Sequence, residues 1–229
     1  MRGQVEDKIL VPLLGRPVID HSIGSFKQSG FIDFWAVVYR DEEQLLRLRE
    51  RMENAKIDPH QIVWVTGGKE RQNSVLNALE ALPEDIDYVF IHDSARPILN
   101  ASMLRKLQRA VSQDGAAVLA HRAVDTMKQL HPNTDCPRKA RMSNLDRHLI
   151  WAMETPQVFT RSTILEAYRD VRAKAQSVTD DTAVLIDRGI PITLIENTWP
   201  NPKITFPQDL AIAEVLLRQL QKEATPPTH

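Results

Sequence analysis

Tyr88-Val89-Phe90-Ile91-His92-Asp93-Ser94-Ala95-Arg96-Pro97 is the stretch on which the fold turns. Its four consecutive apolar residues leave no polar face, as in a strand covered on both sides, and such strands belong to parallel sheets flanked by helices. The apolar run then stops at His92, Asp93 and Arg96. In open α/β sheets, ligands bind outside the carboxyl ends of the strands. One decapeptide therefore supplies both a buried strand and a candidate site. Asp93 is suited to face a metal ion or a sugar hydroxyl, and Arg96 to hold a phosphate in its planar fork. The two are equally suited to pair with each other and shape a turn, and the residues alone leave both readings open.

The alternation of strand and helix continues on either side. Residues 34–39 are β-rich, and 41–56 carry Leu45, Leu46, Leu48 and Met52 at roughly helical spacing. Residues 61–65 predict a strand ending in Thr66-Gly67-Gly68, and Val75, Leu76, Leu79 and Leu82 share one face of a helix over 71–82. Further on come a helix over 103–112, an apolar strand over 116–120, helices over 161–175 and near 181–188, a strand over 191–195, and an amphipathic helix from Gln208. Residues 223–229 read as a frayed tail. The expectation is α/β: one domain over 1–229 with a Rossmann-like, mostly parallel sheet and helices on both faces. Regularity lapses over 124–150, which is polar, contains Pro132 and Pro137, and lacks a helical stripe. A surface loop or an extended arm that pairs with a second subunit fits that stretch.

Two further strand ends hold candidate chemistry. In Gly67-Gly68-Lys69-Glu70-Arg71-Gln72-Asn73-Ser74 the glycines permit close backbone approach, and the helix that follows offers N–H groups to an anion or a base edge. Paired glycines are also ordinary turn punctuation. In Trp199-Pro200-Asn201-Pro202-Lys203 the prolines restrict the chain ahead of Lys203 and present its ammonium in a fixed place, although a lone lysine is commonly a solvated surface charge.

Composition bounds the function. The chain has 229 residues, 42% hydrophobic and 26% charged, and a formal net charge of −1. No global basic field draws in nucleic acid or an anionic membrane, so any phosphate must be held by a few local cations. No apolar run approaches the ~18 residues of a membrane span, and the stretch from Glu6 to Leu14 does not read as a signal peptide. Cys136 is the only cysteine, so no intrachain disulfide forms, and its turn-like setting reads as inert. The seven histidines are scattered without zinc-site spacing. Cys-x-x-Cys, Gly-x-Ser-x-Gly and Walker A patterns are absent from the sequence.

The order of the clusters is distinctive. Lys8-x-Leu10-x-Pro12-Leu13-x-Gly15-x-Pro17, Gly67-Gly68-x-x-Arg71-x-x-Ser74-Val75, His92 to Pro97, Asp125-Thr126-Met127-Lys128, Thr155-Pro156-Gln157, Thr179-Asp180-Asp181 and Lys203-Ile204-Thr205 resemble, in sequence order across nearly the whole chain, the motifs of the 2-C-methyl-D-erythritol 4-phosphate cytidylyltransferase family. The resemblance implies a single nucleotidyltransferase domain that transfers CMP from CTP to a polyol phosphate, 2-C-methyl-D-erythritol 4-phosphate, with Mg²⁺ and releases pyrophosphate. It implies that Lys8 stabilises charge on the CTP phosphates, and that Arg147 and Lys203 position the attacking phosphate. Gly68, Ser74, Asp93 and Ala95 would line the nucleotide side, with Asp93 facing the metal and Arg96, Thr126 and Thr179 near the acceptor. It also implies that 124–150 is an arm crossing into a partner of a homodimer, in the cytoplasm or, for a plant source, the plastid stroma.

One departure concerns the first strand. Family members carry a strand and an Ala-Ala-Gly-x-Gly-x-Arg-Met-like loop before the counterpart of Lys8. Here Met1-Arg2-Gly3 stands where that loop would end, so roughly 15 to 20 residues are expected to be missing. Met1 then corresponds to the methionine of the Arg-Met pair, and loss of a central strand should leave two open sheet edges. Ile9 also replaces the family's usual glutamine. The alternatives are a ribitol-5-phosphate cytidylyltransferase, or a non-catalytic dimeric homologue without the triphosphate loop.

Overall fold

The computed structural model of the chain describes residues 7–131 and 140–224. Cys136 and the tail beyond 224 lie outside them. A short antiparallel pair, β1 (Pro12–Leu13) and β2 (Arg16–Pro17), leads into α1 (Val18–Ser29). Then follow β3 (Trp35–Tyr39), α2 (Glu42–Asn54), β4 (Ile62–Thr66), α3 (Arg71–Ala81), β5 (Tyr88–Ile91), α4 (Ala101–Asp114) and β6 (Ala116–Arg122). After β7 (Lys128–Leu130) and β8 (Met142–Asn144) come β9 (Trp151–Thr160), α5 (Arg161–Ala173), α6 (Ala183–Ile186), β10 (Thr193–Glu196) and α7 (Gln208–Ala224).

The main sheet has the order β10-β6-β9-β5. β6 and β10 pair in parallel, while β9 runs antiparallel to both of its neighbours, so three strands point one way and β9 is the exception. Period-two alternation divides the sheet cleanly. Ala116, Val89 and Phe159 face α3, α5 and α6, whereas Ala117, Phe90 and Val158 face α1 and α4. The α/β sandwich with helices on both faces is therefore as the sequence predicts, but the sheet is mixed rather than mostly parallel, because β9 makes two of its three ladders antiparallel. The small residues of Ala116–Ala120, each at most 1% exposed, let α4 lie close. α4 buries Met103, Leu104, Leu107, Ala110 and Val111, is capped by the Asn100 carboxamide at its start, and ends on Gly115 at φ +79°.

Of the longer elements, α1 and β9 escape the sequence reading. α1 follows Pro17 and buries Val18, Ile19, Ser22, Ile23 and Phe26 at helical spacing, a stripe that the preceding Gly–Pro punctuation conceals. β9 hides because Glu154, Thr155, Pro156 and Gln157 do not read as a central strand. Its ladder with β6 pairs Val118 with Gln157 and then Ala120 with Met153, so Glu154, Thr155 and Pro156 form a buried bulge. A central strand tolerates proline only where a ladder hydrogen bond has been given up in this way. In the described part of 124–150, β7 and β8 form an antiparallel hairpin rather than a plain loop.

β3 and β4 form a separate parallel pair. Among the described residues, β3 pairs only with β4 and β5 only with β9. The facing edges of β3 and β5 thus carry no strand partner among the described residues. Between them lies a crevice of about 540 Å³, lined by residues of both strands together with Ile23 and Phe26 from α1 and Val75 and Leu79 from α3. Phe26 spans it, meeting Trp35 and Phe90 edge-on at 6.2 and 6.3 Å. Native-state hydrogen exchange should therefore show amides at the β6–β9 ladder protected to the global limit, and crevice-edge amides of β3 and β5 exchanging much faster. Equal protection of both sets would mean that those edges are not open.

Candidate active site

The bulge in β9 builds the floor of the site. Thr155 Oγ1 accepts the Asp93 amide at 3.1 Å and lies 3.0 Å from His92 Nδ1, pinning the end of β5. The Thr155 carbonyl accepts the Asn201 side-chain amide at 3.1 Å. The Asn201 carbonyl in turn accepts Arg96 Nη1 at 2.6 Å, and the Ala95 carbonyl accepts the Ile204 amide at 2.8 Å. One interrupted strand thus fastens together the Asp93–Arg96 loop and the loop carrying Lys203.

Asp93 is the centre of charge. Lys203 Nζ lies 2.6 Å from Oδ2, and Arg71 Nε lies 3.2 Å from Oδ1. Burial raises the Asp93 pKa, but the Lys203 hydrogen bond and the Arg71 and Lys203 charges outweigh it and hold the pKa down to about 2. Lys8, in the turn before β1, has its pKa lowered by desolvation and by Lys203, while Asp93 opposes the shift. Desolvation also lowers the Arg96 pKa, Glu154 and Asp93 opposing it, and Arg96 Nε is buried without a partner. Three cations around one carboxylate, with a fourth held behind them, make a site with spare positive charge. It suits a polyanion such as a phosphate chain.

Asp93 and Arg96 do not pair through their side chains. The turn forms through the backbone, with the Arg96 amide on the Asp93 carbonyl at 2.9 Å. Gly68 and Ser74 do meet: Ser74 Oγ accepts the Gly68 amide at 2.9 Å. A Cβ on Gly68 would lie 2.3 Å from Asn73 Cβ, so the position requires glycine. The N-cap of α3 is Glu70, and a carboxylate at that turn disfavours a second anion there. The turn therefore suits a base edge better than a phosphate. Ala95 is buried at 3% exposure beneath the loop.

Thr126, Arg147 and Thr179 stand apart. All three are exposed, Thr126 and Arg147 on the two sides of the β7–β8 hairpin. Among the described residues no hydrogen bond or ion pair ties their side chains to the Asp93 cluster.

Sequence reasoning left Arg71, Tyr168 and Asp181 without roles. Arg71 grips Asp181 with both terminal nitrogens, at 2.8 and 2.6 Å, and Tyr168 donates its hydroxyl to the same carboxylate. Arg71 and Asp181 both stand in motifs already singled out, but nothing local indicates that they meet across 110 residues. Tyr168 carries no signal beyond its place on the apolar face of α5.

A strand-end site with spare cations, resting on a mixed sheet covered by helices, fits an α/β phosphate-transfer enzyme of the nucleotidyltransferase class. The family model described as 2-C-methyl-D-erythritol 4-phosphate cytidylyltransferase matches residues 2–219. The chain belongs to that family. Proteins of that name from Synechococcus elongatus and Pelotomaculum thermopropionicum are 33% and 34% identical over 221 and 222 residues, covering 96% of this chain in each case and 91% and 90% of the relatives. The crystal structure of the Thermus thermophilus protein of that name superposes with a TM-score of 0.72 at 26% identity, covering 92% of this chain and 94% of that one. The Francisella tularensis structure gives 0.73 at 27%, covering 91% and 92%.

His92 supplies a pH test of this scaffold. It lies 5.4 Å from Phe26 and 3.2 Å from Ser22 Oγ. Desolvation, partly opposed by Asp93, lowers its pKa from 6.5 to about 4. A depressed histidine pKa favours the neutral folded form, so this contribution is complete above pH 6.5 and fades as the pH falls towards 4. Urea titrations of wild type should lose about 3 kcal/mol more between pH 7 and 4 than those of His92→Gln. Parallel pH profiles would contradict a neutral, enclosed His92.

Proposed function

We propose that the chain transfers CMP from CTP to 2-C-methyl-D-erythritol 4-phosphate and releases pyrophosphate. The observation that carries this reading is the Asp93–Lys203–Arg71 cluster at the end of β5, with Lys8 and Arg96 beside it, in a chain of this family. An oxygen of the acceptor phosphate attacks the α-phosphorus of CTP. The bond from that phosphorus to the bridging oxygen breaks, and pyrophosphate leaves with the electron pair. The acceptor oxygen is already ionised, so no general base and no covalent enzyme intermediate is required. Lys8 offsets charge building on the leaving phosphates, and Lys203 and Arg96 orient the incoming one. The Gly68–Ser74 turn offers backbone and hydroxyl groups to the base.

Asp93 is the residue suited to Mg²⁺. No group of three or more His, Cys, Asp or Glu residues gathers for a metal among the described residues. A protein cage is therefore a poor fit, whereas one carboxylate with substrate phosphates and water is the usual Mg²⁺ arrangement. When bound, the ion would neutralise phosphate charge. Displacing Lys203 from Asp93 would free that ammonium for the phosphates.

The arm supports a homodimer with shared sites. Val124, Met127, Leu130, Met142 and Leu149 are 45–82% exposed, an apolar series along a hairpin that needs cover. Thr126 and Arg147 on that arm would reach the partner's cluster. No helix among the described residues is long and apolar enough to cross a membrane.

Pyrophosphate release should require CTP, Mg²⁺ and 2-C-methyl-D-erythritol 4-phosphate, and Lys203→Ala should lower kcat by about 10²–10³-fold. Turnover only with ribitol 5-phosphate, or nucleotide binding without turnover, would contradict the proposal. Mixing inactive Lys203→Ala and Arg147→Ala proteins should restore about a quarter of wild-type activity through hybrid dimers, as two-fold symmetry with shared sites requires. No restoration would place both residues in the same subunit's site.

A further inference from the structure

The Arg71–Asp181–Tyr168 array is costlier than a structural tie demands. Asp181 is fully enclosed, with a side chain 0% exposed, and Tyr168 is 1% exposed in the core between α3 and α5. Arg71 is 36% exposed by side chain and reaches the Asp93 surface from this base. Burying a carboxylate is expensive unless its oxygens are well paired. Here both are: two parallel guanidinium bonds and one phenol hydroxyl converge on them. Burial of the phenol and the neighbouring Asp181 charge hold the Tyr168 pKa far above its usual value, so the hydroxyl stays a donor.

The consequence lies at Asp93. A guanidinium beside two carboxylates forks onto one of them, because the paired, parallel contact is the strongest available. Asp181 takes the fork. Asp93 is left with a single Nε contact at 3.2 Å, longer and weaker than the 2.6 and 2.8 Å bonds to Asp181. Were Asp181 neutral, Arg71 would turn both nitrogens to Asp93, and with Lys203 already 2.6 Å from Oδ2 the carboxylate would be closed to any other cation.

We propose that Asp181, steadied by Tyr168, is a positioning residue that draws the Arg71 fork away from Asp93 and so keeps the Asp93 carboxylate available to a divalent cation. The inference rests on the proposed role of Asp93 as the metal-facing residue, and the test separates the two. Its readout is Mn²⁺ binding to the protein with a non-hydrolysable CTP analogue, followed by water-proton relaxation, alongside the Mg²⁺ dependence of turnover. Asp181→Asn keeps the volume and one acceptor but removes the charge. It should weaken Mn²⁺ binding and raise the half-saturating Mg²⁺ by about tenfold, the scale of lost outer partners at metal sites, with little change in KM for the acceptor. Arg71→Gln added to Asp181→Asn should recover Mn²⁺ binding, because the competing guanidinium is gone. Tyr168→Phe, which keeps the ring packing, should shift Mn²⁺ binding in the same direction by a smaller factor.

A purely structural Asp181 predicts a lower melting temperature with Mn²⁺ binding unchanged, or loss of binding that Arg71→Gln fails to recover; either overturns the proposal. If Asp181→Asn does not fold, unchanged Mn²⁺ binding in Tyr168→Phe overturns it. Failure of wild type to bind Mn²⁺ with the nucleotide analogue would instead remove the metal-facing role of Asp93 on which the inference rests.

Discussion

Asp93 is a carboxylate placed among cations at the end of a buried strand, and the arrangement of the site follows from keeping it charged there. Its desolvation is offset only because Lys203 and Arg71 arrive from other elements, 110 and 22 residues away in sequence. The loop after β10, the start of α3 and the end of β5 must therefore meet at one point. The same cations that keep Asp93 ionised leave the surface around it positive, which lets a polyanion bind to a protein with a net charge of −1.

The bulge in β9 is how the chain makes that meeting permanent. By giving up ladder hydrogen bonds around Pro156, the strand releases Thr155 to hold both the Asp93 amide and the Asn201 side chain. Glu154, 2% exposed, instead takes His121 at 2.7 Å and Asn197 at 2.8 Å. Backbone pairing has been exchanged for side-chain pairing where the loops need an anchor. This is a common compromise where a strand serves a site, because bulges re-aim side chains that a regular ladder would send into the core.

The parts of the fold legible in the sequence were those written locally. The apolar run at Tyr88–Ile91, the helical stripe of Val75, Leu76 and Leu79, and the small-residue strand at Ala116–Ala120 each signal their burial. The rule that ligands gather at strand ends located Asp93, Gly68 and Lys203. What was not legible depends on partners distant in sequence. β9 has a proline and three polar residues at its centre because its neighbours use them. Arg71 and Asp181 stand in recognisable motifs, yet that one holds the other is a fact of tertiary packing, and Tyr168 is indistinguishable in sequence from any core aromatic. Thr126, Arg147 and Thr179 were singled out through the resemblance alone, and among the described residues they stand apart from the cluster.

Under the proposed function, the site works by charge and position, joining two substrates in one in-line displacement without a covalent enzyme intermediate. The stereochemistry at the α-phosphorus tests it most directly. With one diastereomer of CTP carrying sulfur on the α-phosphorus, a single in-line attack predicts a thio-substituted product of inverted configuration. Retention would require two displacements through a nucleotidyl-enzyme, and would contradict a cluster that only binds, orients and neutralises.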